Sequence, residues 1–247
     1  MDQKQIIRIE NATLGYKKSG HPTEVIKNVR IDFYPGDFVG IVGLNGIGKS
    51  TLLKSLCGLL PLLSGKLMID GSLIEDLSLQ ELARKISVVL TEKIGGFNLT
   101  AFDVVASGQM PYTDAFNRLD DNNLEIIQAA INQCGIGLHS HKPLNELSDG
   151  LFQKTIIAKA LAQQTPVMLL DEPSAFLDYA SKHDLFLLLK GLAENDKKCI
   201  LVSSHDLDLL LKYCNKLLVI SGDAIEIITT SEAELNAGFK KIGGGFI

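Results

Sequence analysis

Phe38-Val39-Gly40-Ile41-Val42-Gly43-Leu44-Asn45-Gly46-Ile47-Gly48-Lys49-Ser50 is the stretch whose reading decides the fold. Phe38–Val42 is a short continuous apolar run, the pattern of a strand buried on both faces. Gly43–Ser50 then fits G-x-x-x-x-G-K-[ST], and from Lys49 to about Leu59 the apolar spacing turns helical. A strand that passes through a glycine-rich loop into a helix is the setting in which this pattern grips phosphate. Glycines let backbone N–H groups close around phosphate oxygens without side-chain collision. The helix start adds unpaired N–H donors and the positive end of a dipole. Lys49 supplies a point charge for the β- and γ-phosphates, and the Ser50 hydroxyl is a hard oxygen ligand for Mg²⁺. Gly43, Leu44, Asn45, Gly46, Ile47, Gly48, Lys49, Ser50 and Thr51 are therefore the candidate nucleotide-binding residues of this segment.

Further along, Val167-Met168-Leu169-Leu170-Asp171-Glu172 is an apolar run that ends in two carboxylates. An α/β sheet binds ligands beyond the carboxyl ends of its strands, which is also where the phosphate loop emerges. Asp171 is placed to hold Mg²⁺ through water, and Glu172 to orient and polarise an attacking water.

Strand patterns at 6–16, 24–34, 65–70 and 86–90 surround the loop, with turn chemistry at Lys17–Pro22 between the first two. From about Glu92 to Ala162 the spacing is helical, at Ala101–Gln109, Leu124–Cys134 and a longer run from Ser148. Strands return at Val167–Leu170, Ile200–Ser203 and Leu217–Ile220, with helices between them. The alternation predicts an α/β fold: a mainly parallel sheet covered on both faces, an N-terminal antiparallel β portion and a helical insertion. Glu232–Ile247, with its glycines, reads as a loose tail.

The whole 247-residue chain bounds the function. Its formal net charge is -5, and Lys and Arg form no dense block. A nucleic-acid partner, which calls for a basic face, is not expected. Cys57, Cys134, Cys199 and Cys214 stand far apart, as expected of reduced thiols in a large core. MDQKQIIRIE has no apolar signal core, and no uncharged apolar run reaches the ~20 residues of a membrane helix.

Leu147-Ser148-Asp149-Gly150-Leu151-Phe152-Gln153-Lys154 lies between the phosphate loop and the Asp-Glu pair. Here the chain resembles the ABC ATPases, whose signature is L-S-G-G-Q, and the resemblance extends over nearly the whole length. Ser174-Ala175-Phe176-Leu177-Asp178 resembles the family's D-loop, and Ser203-Ser204-His205-Asp206 its switch histidine. Tyr16 resembles the aromatic that stacks on adenine. The resemblance implies a P-loop core at about 1–91 and 163–247, a helical subdomain at about 92–162, and ATP with Mg²⁺ as cofactors. It implies catalytic roles for Lys49, Glu172 and His205, with Ser148 and Gly150 completing the site of a second copy arranged head to tail. Membrane permease subunits would be the partners, with a periplasmic or lipoprotein solute-binding protein acting indirectly. The chain would then sit peripherally on the cytoplasmic face of the cell membrane.

Asn98–Asp114 is similar to the corresponding stretch in importer ATPases for iron-siderophore, haem and cobalamin, T-x-x-D/E-V-V-x-x-G-R-x-P-[HY]-T. Gly108, Pro111, Tyr112 and Thr113 match, and Gln109 stands where Arg is usual. There are other departures. Thr91 falls where the family has a metal-contacting Gln, followed by Glu92; Thr91 is expected near Mg²⁺. Asp149 replaces the first signature glycine and Leu151 the Gln. These changes keep two alternatives in view: an ATP-binding regulatory or structural subunit with weak hydrolysis, and a soluble ATPase of Fe–S cofactor assembly.

Overall fold

In a computed structural model of the protein, residues 4–18, 21–90, 99–114, 116 and 118–231 are described. In chain order the strands and helices are β1 (Ile7–Lys18), β2 (His21–Phe33), β3 (Phe38–Val42), α1 (Lys49–Leu56), β4 (Ser64–Ile69), β5 (Ser72–Leu73), α2 (Leu79–Lys85) and β6 (Ile86–Val89). Then follow α3 (Ala101–Ala106), a 3-10 turn at Ser107–Tyr112, α4 (Asp121–Gln133), α5 (Asp149–Ala162), β7 (Val167–Asp171) and α6 (Tyr179–Glu194). The chain continues through β8 (Cys199–Ser203), α7 (Leu207–Tyr213), β9 (Lys216–Ser221) and β10 (Ala224–Thr229).

The strands form two sheets. A six-stranded sheet has the order β10-β9-β3-β8-β7-β6, parallel throughout except for β10. A four-stranded antiparallel sheet has the order β2-β1-β4-β5. Every residue of β3, β7 and β8 is buried, as their unbroken apolar composition requires. Their side chains alternate between two cores. Phe38 and Val42 join Met168, Leu170 and Val202 under the helices α3–α7. Val39 and Ile41 join Leu169, Leu201 and the buried face of α1 beneath the antiparallel sheet. Between β6 and β7 the described residues lie mostly in helices, with Thr100 and Pro143 forming an isolated bridge.

Local chemistry explains the helix starts. Ser78 with Glu81, Thr100 with Asp103 and Asp120 with Asn123 close reciprocal caps at α2, α3 and α4. The Thr-x-x-Asp of the importer-like segment is thus a helix-starting device. The rest of that segment fastens α3 to α5. A side chain at Gly108 would bring its Cβ within 2.4 Å of the Lys159 carbonyl oxygen. Buried Gln109 donates to the Ala162 carbonyl and accepts from Asn123 Nδ2 at 2.9 Å. The Tyr112 hydroxyl donates to the Gln163 carbonyl at 3.0 Å, and the Pro111 carbonyl accepts from Arg84 Nε at 2.8 Å. Gly108→Ala, which inserts a methyl against backbone, is expected to cost roughly 2–3 kcal/mol of stability. A urea midpoint equal to that of the unsubstituted protein would contradict this packing account.

The structure departs from the sequence expectations in several places; α1 ends at Leu56 and not near Leu59, and β5 and α2 were not expected. Strand pairing runs into the expected turn, with Lys17 opposite Pro22 and Lys18 opposite His21. Pro22 is tolerated because β2 is an edge strand, where a missing N–H breaks no ladder. The helix expected over Ala101–Gln109 stops at Ala106 and tightens into the 3-10 turn that contains Pro111. β10 was not expected; it returns antiparallel along β9 through Gly222-Asp223, where Gly222 adopts φ +62°. That Gly-Asp pair between two apolar runs is the hairpin signal that marks it. Among the described residues no helix is long and apolar enough to cross a membrane. Thr91, Glu92 and the tail Glu232–Ile247 lie outside the described residues.

Candidate functional site

At the carboxyl ends of β3, β8 and β7, neighbours in the sheet, lies a cleft of about 330 Å³. Tyr16, Val25, Asn45, Gly46, Gly48, Lys49, Ser50, Thr51, Asp171, Glu172 and His205 line it. The phosphate loop comes from the end of β3, the two carboxylates from the end of β7, and His205 from just beyond β8. β1 contributes Tyr16 from the antiparallel sheet, and β2 contributes Val25.

Gly48 adopts φ +122°, and a Cβ there would meet Val25 Cγ1 at 2.7 Å, so conformation and space both demand glycine. The following residue starts α1, whose first turn carries no side-chain cap. Its N–H donors therefore face the cleft mouth without a local oxygen, an arrangement that favours an anion. Lys49 Nζ donates to the carbonyl oxygens of Gly43 at 2.7 Å and Leu44 at 3.3 Å, while the Ile47 N–H donates to Leu44 O at 3.2 Å. These contacts hold the loop in a ring around its own lysine. An ammonium has three donors, so the cation keeps capacity for an incoming oxygen. Burial pushes the Lys49 amine below its ordinary range, and the nearby Glu172 and Asp171 carboxylates oppose that shift. Ser50 is exposed to the cleft, whereas Thr51 is buried and shares a 2.8 Å hydrogen bond with the Tyr16 hydroxyl.

On the opposite wall Asp171 is only 6% exposed. Its Oδ1 accepts from the Ser203 hydroxyl at 2.7 Å. Glu172 leaves the strand with φ +50°. Its Oε1 is buried and has no hydrogen-bond partner among the described residues. His205 Nε2 approaches that oxygen to 3.2 Å, close enough for electrostatic attraction but without hydrogen-bond alignment. Burial pushes the Glu172 carboxyl above the usual carboxylate range, with His205 and Lys49 pulling the other way. Glu172 nevertheless lines the cleft, and a carboxylate there is an acceptor for a donor entering the cleft. A water molecule lying between this carboxylate and a phosphate would supply one.

The sequence-chosen residues divide by position. Tyr16, Asn45, Gly46, Gly48, Lys49, Ser50, Thr51, Asp171, Glu172 and His205 share the cleft. Gly43, Leu44 and Ile47 form the base of the loop. Ser148 and Gly150 do not line it. Ser148 is exposed and caps α5, its hydroxyl accepting from the Leu151 N–H, and Asp149 is exposed in the first turn. A Cβ on Gly150 would meet only ordinary contacts within the chain, 3.4 Å from Phe176 O, so the chain's own packing does not call for glycine there. Val25 and Ser203 were not among the chosen residues. Val25 falls near the start of the strand pattern at 24–34, and Ser203 appears only as the strand end that leads into the switch-histidine stretch.

The family described as ABC transporter matches residues 26–175 of the chain. An uncharacterized ABC transporter ATP-binding protein of Methanocaldococcus jannaschii is 38% identical over 220 residues, covering 89% of this chain and 74% of the relative. The ferric enterobactin transport ATP-binding protein of Escherichia coli is 32% identical over 241 residues, with 95% and 88% covered. Other relatives are longer: the chain spans 50% of the cobalamin import ATP-binding protein of Halobacterium salinarum, at 33% identity over 81% of its own length. Among solved structures, a dimeric ATP-binding cassette in a post-hydrolysis state with ADP and phosphate matches with a TM-score of 0.81 at 26% identity, covering 91% of this chain and 98% of that one.

Proposed function

Because this chain belongs to the ABC transporter family, as an ATPase related to the siderophore and cobalamin importers, we propose that it energises import of an iron chelate or cobalamin through a separate permease. The observation that carries the catalytic part is the convergence of Lys49, Asp171, Glu172 and His205 on one cleft. In this reading Tyr16 stacks on the adenine, and the Gly43–Gly48 backbone with Lys49, Ser50 and Thr51 holds the phosphates. The Glu172 carboxylate accepts the hydrogen bond and then the proton of the attacking water, whose oxygen joins the terminal phosphorus as the bond to the bridging oxygen breaks and ADP leaves. His205 contacts the terminal phosphate and registers its loss.

The cleft also suits Mg²⁺. Ser50 and Asp171 offer hard oxygens. Among the described residues no group of three or more His, Cys, Asp or Glu side chains could hold a metal alone, so the ion would arrive with phosphate oxygens and water. When bound, the ion neutralises charge on the phosphates. Thr91 is proposed to lie beside it.

The proposed assembly has two copies head to tail on the cytoplasmic face of the membrane, with an external solute-binding protein delivering cargo. The proposed single domain divides into a core at 1–91 and 163–247 and a helical subdomain at 92–162. Ser148 and Gly150, exposed and half-buried at the start of α5, would reach the γ-phosphate held by the other copy. Affinity purification from membranes is expected to recover a multi-span permease, and loss of the gene to reduce uptake of one of ferric siderophore, haem or cobalamin. Normal uptake of all three would remove the cargo assignment. Recovery without any permease would remove the transport role.

A further inference from the structure

We infer that Ser203 is a positioning residue for phosphoryl transfer, setting both carboxylates of the cleft through one hydroxyl; this rests on the hydrolysis reading above. Ser203 ends β8 and is fully buried. In the parallel ladder it stands opposite Asp171, the last residue of β7. Its hydroxyl donates to Asp171 Oδ1 at 2.7 Å and accepts from the Glu172 N–H at 2.9 Å. The two bonds use the hydroxyl as donor and acceptor at once, which neither alanine nor valine can imitate.

The reason for this contact lies in the backbone. At Glu172 the chain turns into the left-handed region, φ +50°, where a residue with a side chain is rarely held without support. The Glu172 N–H lies one residue past the last ladder pair, Asp171 opposite Ser203, and a backbone donor near the core needs an acceptor. Ser203 Oγ is that acceptor. The same oxygen's proton fixes the rotation of the Asp171 carboxylate. One side chain therefore sets the orientation of the proposed metal-side carboxylate and the backbone from which the proposed water-orienting carboxylate projects. Supporting bonds of this kind decide whether reacting groups stay within the narrow geometry that catalysis needs. Among the described residues the Lys49 and Tyr16 side chains bond elsewhere, so the magnesium-independent part of nucleotide affinity is expected to change little on substitution of Ser203.

The test compares Ser203→Ala, Ser203→Thr and Ser203→Val in the full chain. Thr and Val have the same shape and differ in the hydroxyl, so the pair separates hydrogen bonding from packing. Ala removes only the oxygen and guards against a failure of the larger pair to fit, with thermal unfolding as the folding control. Steady-state ATPase is read as kcat against KM. Binding of a non-hydrolysable ATP analogue is titrated with magnesium and with EDTA. Ala and Val are expected to lower kcat by about 10- to 100-fold with KM within about threefold, and to reduce the affinity gained from magnesium. Thr is expected to restore most of kcat. Ala at the kcat of the unsubstituted protein, or Val as active as Thr, overturns the proposal. An unsubstituted chain that turns over while these variants match it removes this inference alone. An unsubstituted chain with no magnesium-dependent turnover removes the hydrolysis reading, and this one with it.

Discussion

Lys49→Ala is expected to abolish measurable ATP binding, weakening affinity by at least about 100-fold. Lys49 is 8% exposed and brings the positive charge to a cleft wall that faces Asp171 and Glu172. It also ties the Gly43 and Leu44 carbonyls into the loop ring. Alanine would leave two acids facing a polyanionic ligand and would release the ring at the same time. Charge-assisted hydrogen bonds contribute about 1.5–3 kcal/mol each, and every 1.4 kcal/mol is tenfold in affinity. Two of the three ammonium donors hold the ring, so the one remaining bond to a phosphate oxygen accounts for about one to two orders of magnitude, and the released ring and the uncompensated carboxylates add to it. Isothermal titration with ATP and magnesium reads the effect directly. A dissociation constant within threefold of the unsubstituted protein, in a variant that unfolds at a similar temperature, would end the phosphate-loop account.

The second large effect separates binding from chemistry. Glu172→Gln keeps the size of the side chain and one hydrogen-bonding oxygen but removes the negative charge. Turnover is expected to fall by about 10²- to 10⁴-fold, the usual contribution of a positioned general base. ATP affinity is expected to hold or rise, because a carboxylate no longer faces the terminal phosphate. With hydrolysis blocked, two copies should remain associated around ATP and elute together as a dimer in size-exclusion chromatography. Equal turnover in the two proteins would favour the binding-only reading that Asp149 and Leu151 keep open.

Much of this architecture was legible in the sequence because the strands that build the cleft floor are buried on both faces. Their apolar runs are unbroken, so β3, β7 and β8 could be placed without knowing their neighbours. The glycine-lysine loop is equally local, since backbone conformation and charge act within a few residues. Tyr16 could be placed only by resemblance, because its approach to Thr51 depends on how the antiparallel sheet folds over α1. Ser203 was illegible for a related reason. Its partners lie 31 and 32 residues earlier, and only the lateral register of β7 against β8 brings them together. The short α2 carried its signal, Ser78-x-x-Glu81, yet lacks the long apolar stripe that announces a larger helix. The importer-like segment held a different lesson. Its threonine, aspartate, glycine and tyrosine serve helix starts and helix contacts, and none lines the cleft.

The sheet with a core on each side has a dynamic consequence. Its central strands are shielded above by helices and below by the antiparallel layer, so their amides belong to the part of the molecule that opens last. The reactive groups sit at the rim of this slow-exchanging slab, one step beyond the strand ends. Breathing of the outer layers can therefore reshape what lies over the nucleotide while the spacing between lysine and carboxylates stays anchored.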